Sequence, residues 1–202
     1  MKKLIAIVGS NSSSSTNRQL LQYMKKHYAQ EAEIELMEIK DLPTFNKPVN
    51  YTVHPRIQKM ADKISEADGV VIATPEYDHA PPAALTNALA WLSYKVYPFV
   101  DQPVMVVGAS YGTLGSSRAQ LQLQQMLDSP ELKARTMPSS EFLLNHSLNA
   151  FNDAGDLVYP KKVEELNAIF ADFLVFIELV QQLPNVRKIN KETAEKYIWD
   201  TM

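Results

Sequence analysis

Three short apolar runs, Lys3–Val8, Val70–Ala73 and Val104–Val107, each stop at a polar loop that leads into a helical stretch. That repeated order narrows the possible folds more than any other feature of the chain. Runs rich in β-branched residues and lacking polar alternation are strands covered on both faces. Parallel strands need long crossovers, and the intervening stretches supply them. Leu20, Leu21, Met24 and Tyr28 recur at helical spacing after the first run, with Met24 and Tyr28 read as core. Ile57, Met60, Ala61 and Ile64 form a second stripe, and Leu85, Leu89, Trp91 and Leu92 a third within a helix expected over Ala83–Tyr94. The chain is therefore α/β with a doubly wound parallel sheet. Ligands of such sheets bind outside the carboxyl ends of the strands, near the switch point.

The remaining stretches fit around this frame. Glu33–Ile39 alternates polar and apolar residues, as a strand with one wet face does at a sheet edge. The segment from Lys40 to His54 carries Pro43, Pro48, Phe45 and Tyr51 and is followed by Pro55, so it reads as a long loop, a kind that is often functional. A Gln-rich helix is expected from Arg118 to Leu127, weaker strands at Arg135–Met137 and Phe142–Leu144, a turn at Asn152–Asp156, and a long helix over Lys161–Leu183. The tail from Pro184, ending in Tyr197, Ile198 and Trp199, reads as a short helix packed on the body or on a partner. Residues 1–202 form one domain in this reading, with a helical extension over about 184–202.

Composition closes several routes. A formal charge of −3 and a pI near 5.8 provide no basic field for nucleic acid. With no cysteine, the chain has no disulfide, thiolate metal site or cysteine nucleophile, so redox chemistry would need a cofactor. His27, His54, His79 and His146 lack metal-ligand spacing. Lys2-Lys3 leads into an apolar run too short for a signal peptide, and Asp172, Glu178 and two Gln interrupt Ile169–Leu183, so no membrane association is expected and the location expected is cytoplasmic.

The loops hold the chemistry. Gly9–Asn17 contains Ser10, Ser12, Ser13, Ser14, Ser15 and Thr16 between a strand and a helix. Their hydroxyls, with backbone N–H groups at the helix start, suit a phosphate cradle. A solvated Ser-rich helix cap is the other reading of the same residues. Thr74–Pro82 leaves the second run and Gly108–Ser117 the third, again rich in donors, and three such loops on one rim favour the cradle. Glu76 and Asp78 read as solvated charges, and Arg118 as either a phosphate ligand or a helix-face ion-pair partner.

At these residues the chain resembles the NADPH-dependent FMN reductases, flavodoxin-like quinone, azo-dye and chromate reductases, over roughly residues 3–160. The matching positions are Gly9-Ser10 with Ser15-x-Asn17 and Leu20, Asp41-Leu42-Pro43, Ala67-Asp68-Gly69, Thr74-Pro75-Glu76-Tyr77, Leu85-x-Asn87-Ala88 with Trp91, and Gly115 with Arg118-Ala119-Gln120. The resemblance implies a five-stranded parallel sheet of order 2-1-3-4-5, and non-covalent FMN with NADPH or NADH as co-substrate. It places the phosphate at Ser10, Ser12, Ser15, Thr16 and Asn17. The ring would lie against Pro75, Glu76, Tyr77, Asp78 and His79, with Ser110, Tyr111, Gly112 and Gly115 along its other edge. It also implies hydride transfer through the flavin to small-molecule acceptors such as quinones, azo compounds or flavins, and a homodimer or homotetramer. The chain departs from the family in carrying Ser12 for the usual first-loop Arg, Asp78-His79-Ala80 for Asn-Tyr-Ser, Thr86 and Ala90 for a Lys and an Asp, and Ser116-Ser117 for Gly-Gly.

Two other functions fit parts of the sequence. Gly108-Ala109-Ser110-Tyr111-Gly112 is a G-x-S-x-G elbow followed by Asp128 and His146 in the order of a serine hydrolase. A flavin-binding electron carrier without nicotinamide turnover would need the same loops as the reductase.

Overall fold

The computed structural model describes residues 1–50, 52–183 and 186–196. Its strands are β1 (Lys2–Val8), β2 (Ala32–Glu38), β3 (Gly69–Ala73), β4 (Pro103–Ala109), β5 (Arg135–Thr136) and β6 (Phe142–Leu144). The helices are α1 (Thr16–His27), α2 (Pro55–Glu66), α3 (Ala83–Leu92), α4 (Ser117–Leu127), α5 (Pro160–Gln181) and α6 (Val186–Glu195). All strand pairs are parallel, in the order β2-β1-β3-β4-β5, with β6 also on β4. The fifth position is thus divided. Thr136 sits opposite Val104 and Phe142 opposite Val107, and the residues between loop out of the sheet edge. The expected five strands become six because Pro138 and the polar residues beside it cannot continue the ladder.

Alternate residues of each central strand enter opposite cores, which explains why their sequences are apolar throughout. Leu4, Ala6, Val71, Ala73, Met105 and Val107 pack with α1 and α5, whereas Ile5, Ile7, Val70, Ile72, Val104 and Val106 pack with α2, α3 and α4. Met24 and Tyr28 are buried, and β2 occupies an edge with Glu33 and Glu35 exposed. The segment before α2 is irregular and strapped onto α3, where Asn87 Nδ2 and Trp91 Nε1 donate to the Pro43 carbonyl and Tyr94 Oη to that of Pro48. α3 ends two residues earlier than expected and Gly108 and Ala109 belong to β4, so the third loop begins at Ser110.

α6 docks at the amino-terminal end of the sheet. Ala194 packs with Tyr97 and Val100, and Asn190 Nδ2 donates to Asp101 Oδ2 at 2.6 Å while Lys133 donates to Asn190 Oδ1. Tyr51, Tyr197, Ile198 and Trp199 lie outside the described residues. Among the described residues no helix is long and apolar enough to cross a membrane, and no group of three or more His, Asp or Glu side chains could hold a metal ion.

Candidate functional site

The loops following β1, β3 and β4 lie side by side because those strands are neighbours, and β1 and β3 flank the point where the strand order reverses. Between them is a cavity of about 340 Å³ lined by Ser10, Ser12, Ser15, Thr16, Asn17, Pro75, Glu76, Tyr77, Ala109, Ser110, Tyr111 and Gly112. Eleven of these are positions singled out in the sequence. Ala109 is the addition: it falls within the expected third loop, but its methyl side chain gave no sign of contact with a ligand. Asp78, His79 and Gly115 do not line the cavity.

The first loop turns sharply because Gly9 has no side chain. A Cβ there would lie 2.4 Å from the Ala73 carbonyl oxygen, which instead accepts a 2.8 Å hydrogen bond from Gly9 N–H. Ser15 caps α1, its Oγ accepting from Arg18 N–H at 3.3 Å, and Thr16 Oγ1 and Ser147 Oγ are 2.8 Å apart. Among the described residues the Thr16 and Asn17 N–H groups donate to no protein acceptor, so the positive end of α1 opens into the cavity. The Asn17 side chain, which lines the cavity, also clasps the third loop. Its Nδ2 donates to the Ala109 carbonyl at 2.8 Å and its Oδ1 accepts from Ala109 N–H at 2.9 Å, tying the first loop to the third.

The second loop is a tight hairpin. Tyr77 and Ala80 exchange both backbone hydrogen bonds, and Asp78 and His79 take left-handed φ values of 49° and 66°, the pattern of a type I′ turn. Their side chains therefore stand at the turn's tip, and the Tyr77 N–H is already engaged. The expectation of solvated Glu76 and Asp78 fails for Glu76, whose side chain is 8% exposed. α4 starts from Ser116 in a left-handed conformation with no side-chain cap, and Glu76 substitutes for one, accepting from the N–H groups of Arg118 and Ala119 at 3.0 and 3.3 Å. The Arg118 guanidinium joins it at 2.6–2.8 Å, so Arg118 is an ion-pair partner of Glu76. Gln122 Nε2 adds a hydrogen bond to the His79 carbonyl.

Burial alone would raise the Glu76 pKa. Arg118, the Ala119 N–H and His79 outweigh it and hold the carboxyl below its usual range. A lowered folded-state value contributes stability above the ordinary carboxylate pKa, and that stability is lost as pH falls through the folded value. Glu76→Gln is therefore expected to flatten the acid limb of a stability–pH curve measured by urea unfolding below about pH 5.

Gly115, at φ +59°, packs against the Leu143 backbone, where a Cβ would come within 2.8 Å, and so shapes the third loop from behind. A hydrolase triad is not assembled. Ser110 Oγ accepts from Gly112 N–H, while Asp128 caps the far end of α4, 11 residues or about 16 Å along the helix.

These loops fit FMN by the chemistry of their donors. One end offers hydroxyls and free helix N–H groups to a phosphate, and the other presents the half-exposed Tyr77 and Tyr111 beside Pro75 to a planar ring.

The chain was also compared with known proteins. A family model described as NADPH-dependent FMN reductase matches residues 2–149. The chain is 53% identical to the NADH:(hydroxy)cinnamate reductase subunit CrdA of Vibrio ruber over 98% of this chain and 97% of that one. It is 40% identical to the NADH-dependent flavin reductase subunit 2 of Lactobacillus johnsonii over 89% of this chain and all of the relative. Among solved structures, the flavoenzyme NAD(P)H:(acceptor) oxidoreductase FerB of Paracoccus denitrificans superposes with a TM-score of 0.79 at 26% identity, covering 88% of this chain and 98% of its own. With the loop cavity at the switch point of a 2-1-3-4-5 sheet, these matches establish that the chain belongs to the NADPH-dependent FMN reductase family.

Proposed function

We propose that the chain is the NADH-oxidising flavin subunit of a reductase, holding FMN in the three-loop cavity and delivering electrons to a small organic acceptor. Bound FMN supplies the two-electron chemistry between nicotinamide and acceptor. The chain's own residues bind and orient. Ser10, Ser12, Ser15 and Thr16, with the N–H groups at the start of α1, take the phosphate, and Pro75, Tyr77 and Tyr111 flank the ring. Free N–H groups of the second and third loops meet its polar edge as donors fixed in advance.

The observation that carries the cofactor preference is the neutrality of the cavity. Its one charged lining residue, Glu76, is paired with Arg118, and Arg18 behind the first loop is paired with Glu38. The lining thus offers no unpaired cation to the extra phosphate that distinguishes NADPH should it approach this rim, in keeping with the NADH named for the Vibrio ruber and Lactobacillus johnsonii relatives. Steady-state oxidation with added FMN and a quinone is expected to favour NADH by roughly tenfold or more in kcat/KM. A preference for NADPH would refute this assignment. Ser12→Arg, restoring a cation to the lining, is expected to tighten FMN and raise NADPH use; an unchanged or weaker FMN affinity would show that charge is not what this loop lacks.

The outer faces of α3 and α4 favour a homodimer. Residues 83–94 and 119–127 contain no charged residue in a chain that is 21% charged, and Leu121 is 63% exposed. Charge depletion of this kind marks the centre of an interface, and sedimentation of the purified chain checks it. The proposed compartment is the cytoplasm, where nicotinamide cofactors are reduced.

A further inference from the structure

Arg18 follows the first loop in sequence, yet it stands behind that loop and away from the cavity. It is absent from the cavity lining, and its side chain is 19% exposed. Nη1 donates to the Ser12 carbonyl at 2.6 Å, and Nη2 makes a longer bond of 3.4 Å to the Ser10 carbonyl. Nε and Nη2 also reach the two carboxylate oxygens of Glu38, at 2.6 and 2.9 Å. Glu38 ends β2, so the guanidinium is held from the sheet edge while it grips two peptide units of the loop.

The geometry of the peptide bond turns this grip into a consequence for the cavity. A trans peptide directs its N–H opposite to its C=O, and the structure has no cis bonds. Carbonyls drawn back toward Arg18 therefore turn the next N–H groups, those of Asn11 and Ser13, to the other side of the loop. Among the described residues neither N–H donates to a protein acceptor. The loop itself is short and low in bulk, with Asn11, Ser13 and Ser14 exposed; besides Arg18 it is held by the Ser12 N–H donating to Ser10 Oγ at 3.2 Å and by a 3.4 Å contact between the Ser12 and Ser14 hydroxyls, neither of which engages the Ser10–Asn11 or Ser12–Ser13 peptide unit.

We infer that Arg18, braced by Glu38, is a positioning residue that shapes the first loop for the phosphate end of the flavin. It aims backbone donors instead of presenting its own charge. This rests on the reading that the phosphate lies in the first loop. It also accounts for a phosphate site without a free cation, because Glu38 neutralises the guanidinium and leaves its orienting effect intact.

A positioning role and a direct attraction between Arg18 and phosphate predict opposite signs. If the charge acted directly, Glu38→Gln would release it and tighten FMN. If Arg18 positions the loop, Glu38→Gln loosens the brace and weakens FMN. The test measures FMN and riboflavin affinities by quenching of flavin fluorescence in the full-length wild type, Arg18→Met, Arg18→Lys and Glu38→Gln. Wild type is expected to prefer FMN, and Arg18→Met to lose roughly tenfold or more of the FMN-to-riboflavin ratio with riboflavin binding little changed. Glu38→Gln should lose a smaller part, and Arg18→Lys, whose ammonium can still reach one carbonyl, should recover part of the loss. An unchanged ratio in Arg18→Met, an equal fall for both flavins, or tighter FMN in Glu38→Gln would overturn the inference. If Arg18→Met does not fold, the sign of the Glu38→Gln effect decides. A wild type that binds both flavins equally would instead overturn the placement of the phosphate, and the inference with it.

Discussion

Asn17→Leu is expected to cost about 2–6 kcal/mol of folding stability, because it leaves a buried N–H and a buried C=O of Ala109 without partners at about 1–3 kcal/mol each. Leucine keeps the branching and heavy-atom count of asparagine but is bulkier, so at this buried site some overpacking adds to the loss of the hydrogen bonds. Asn17 is 2% exposed and bridges residues 92 apart in sequence, at the junction of α1 with the end of β4. Its loss also frees the first loop from the third, so flavin affinity should fall with stability. Urea unfolding with an unchanged m-value, together with an FMN titration, checks both effects. A stability change under about 0.5 kcal/mol, the range of an ordinary surface substitution, would show that the Asn17 clasp contributes nothing.

Gly108→Ala is expected to cost about 3 kcal/mol, the upper part of the range for overpacked cores. A Cβ at this position would stand 1.8 Å from Ser116 Oγ and 2.7 Å from both Gln120 Nε2 and the Thr74 carbonyl oxygen. Ser116 could rotate away, but Thr74 is backbone next to the second loop, and Gln120 is held by the Phe142 carbonyl at 2.9 Å. The strain falls on the joint between the second and third loops. Thermal unfolding should therefore show a lower Tm, and the residual folded protein should bind FMN more weakly.

What the sequence made legible and what it hid follow from the range of the interactions concerned. β1, β3 and β4 were readable because burial on both faces writes an unbroken apolar run into a single short segment. The loops were readable for the same local reason, since each sits directly after such a run. Glu76 was misread because its meaning lies 42 residues away, at the start of α4, where a left-handed Ser116 leaves N–H groups that only a neighbouring loop can satisfy. Asn17 lines the cavity, but its clasp on Ala109, 92 residues away, left no local mark, and Arg18 drew no notice because a basic residue on an amphipathic helix ordinarily faces solvent. No periodicity records pairings of this kind. The divided fifth strand was hidden for a related reason: Arg135–Thr136 and Phe142–Leu144 each read as a separate weak strand, and their shared partner β4 is known only from the fold.

The central claim is that this cavity holds FMN in a position where a nicotinamide can reduce it. Anaerobic titration of the FMN-loaded chain with NADH tests it most directly. The account predicts that the flavin's visible absorption is bleached in proportion to added NADH, with about one equivalent sufficing, and returns when a quinone is admitted. FMN that binds tightly and stays oxidised in the presence of excess NADH and NADPH would contradict it, leaving a flavin-binding carrier in place of a reductase.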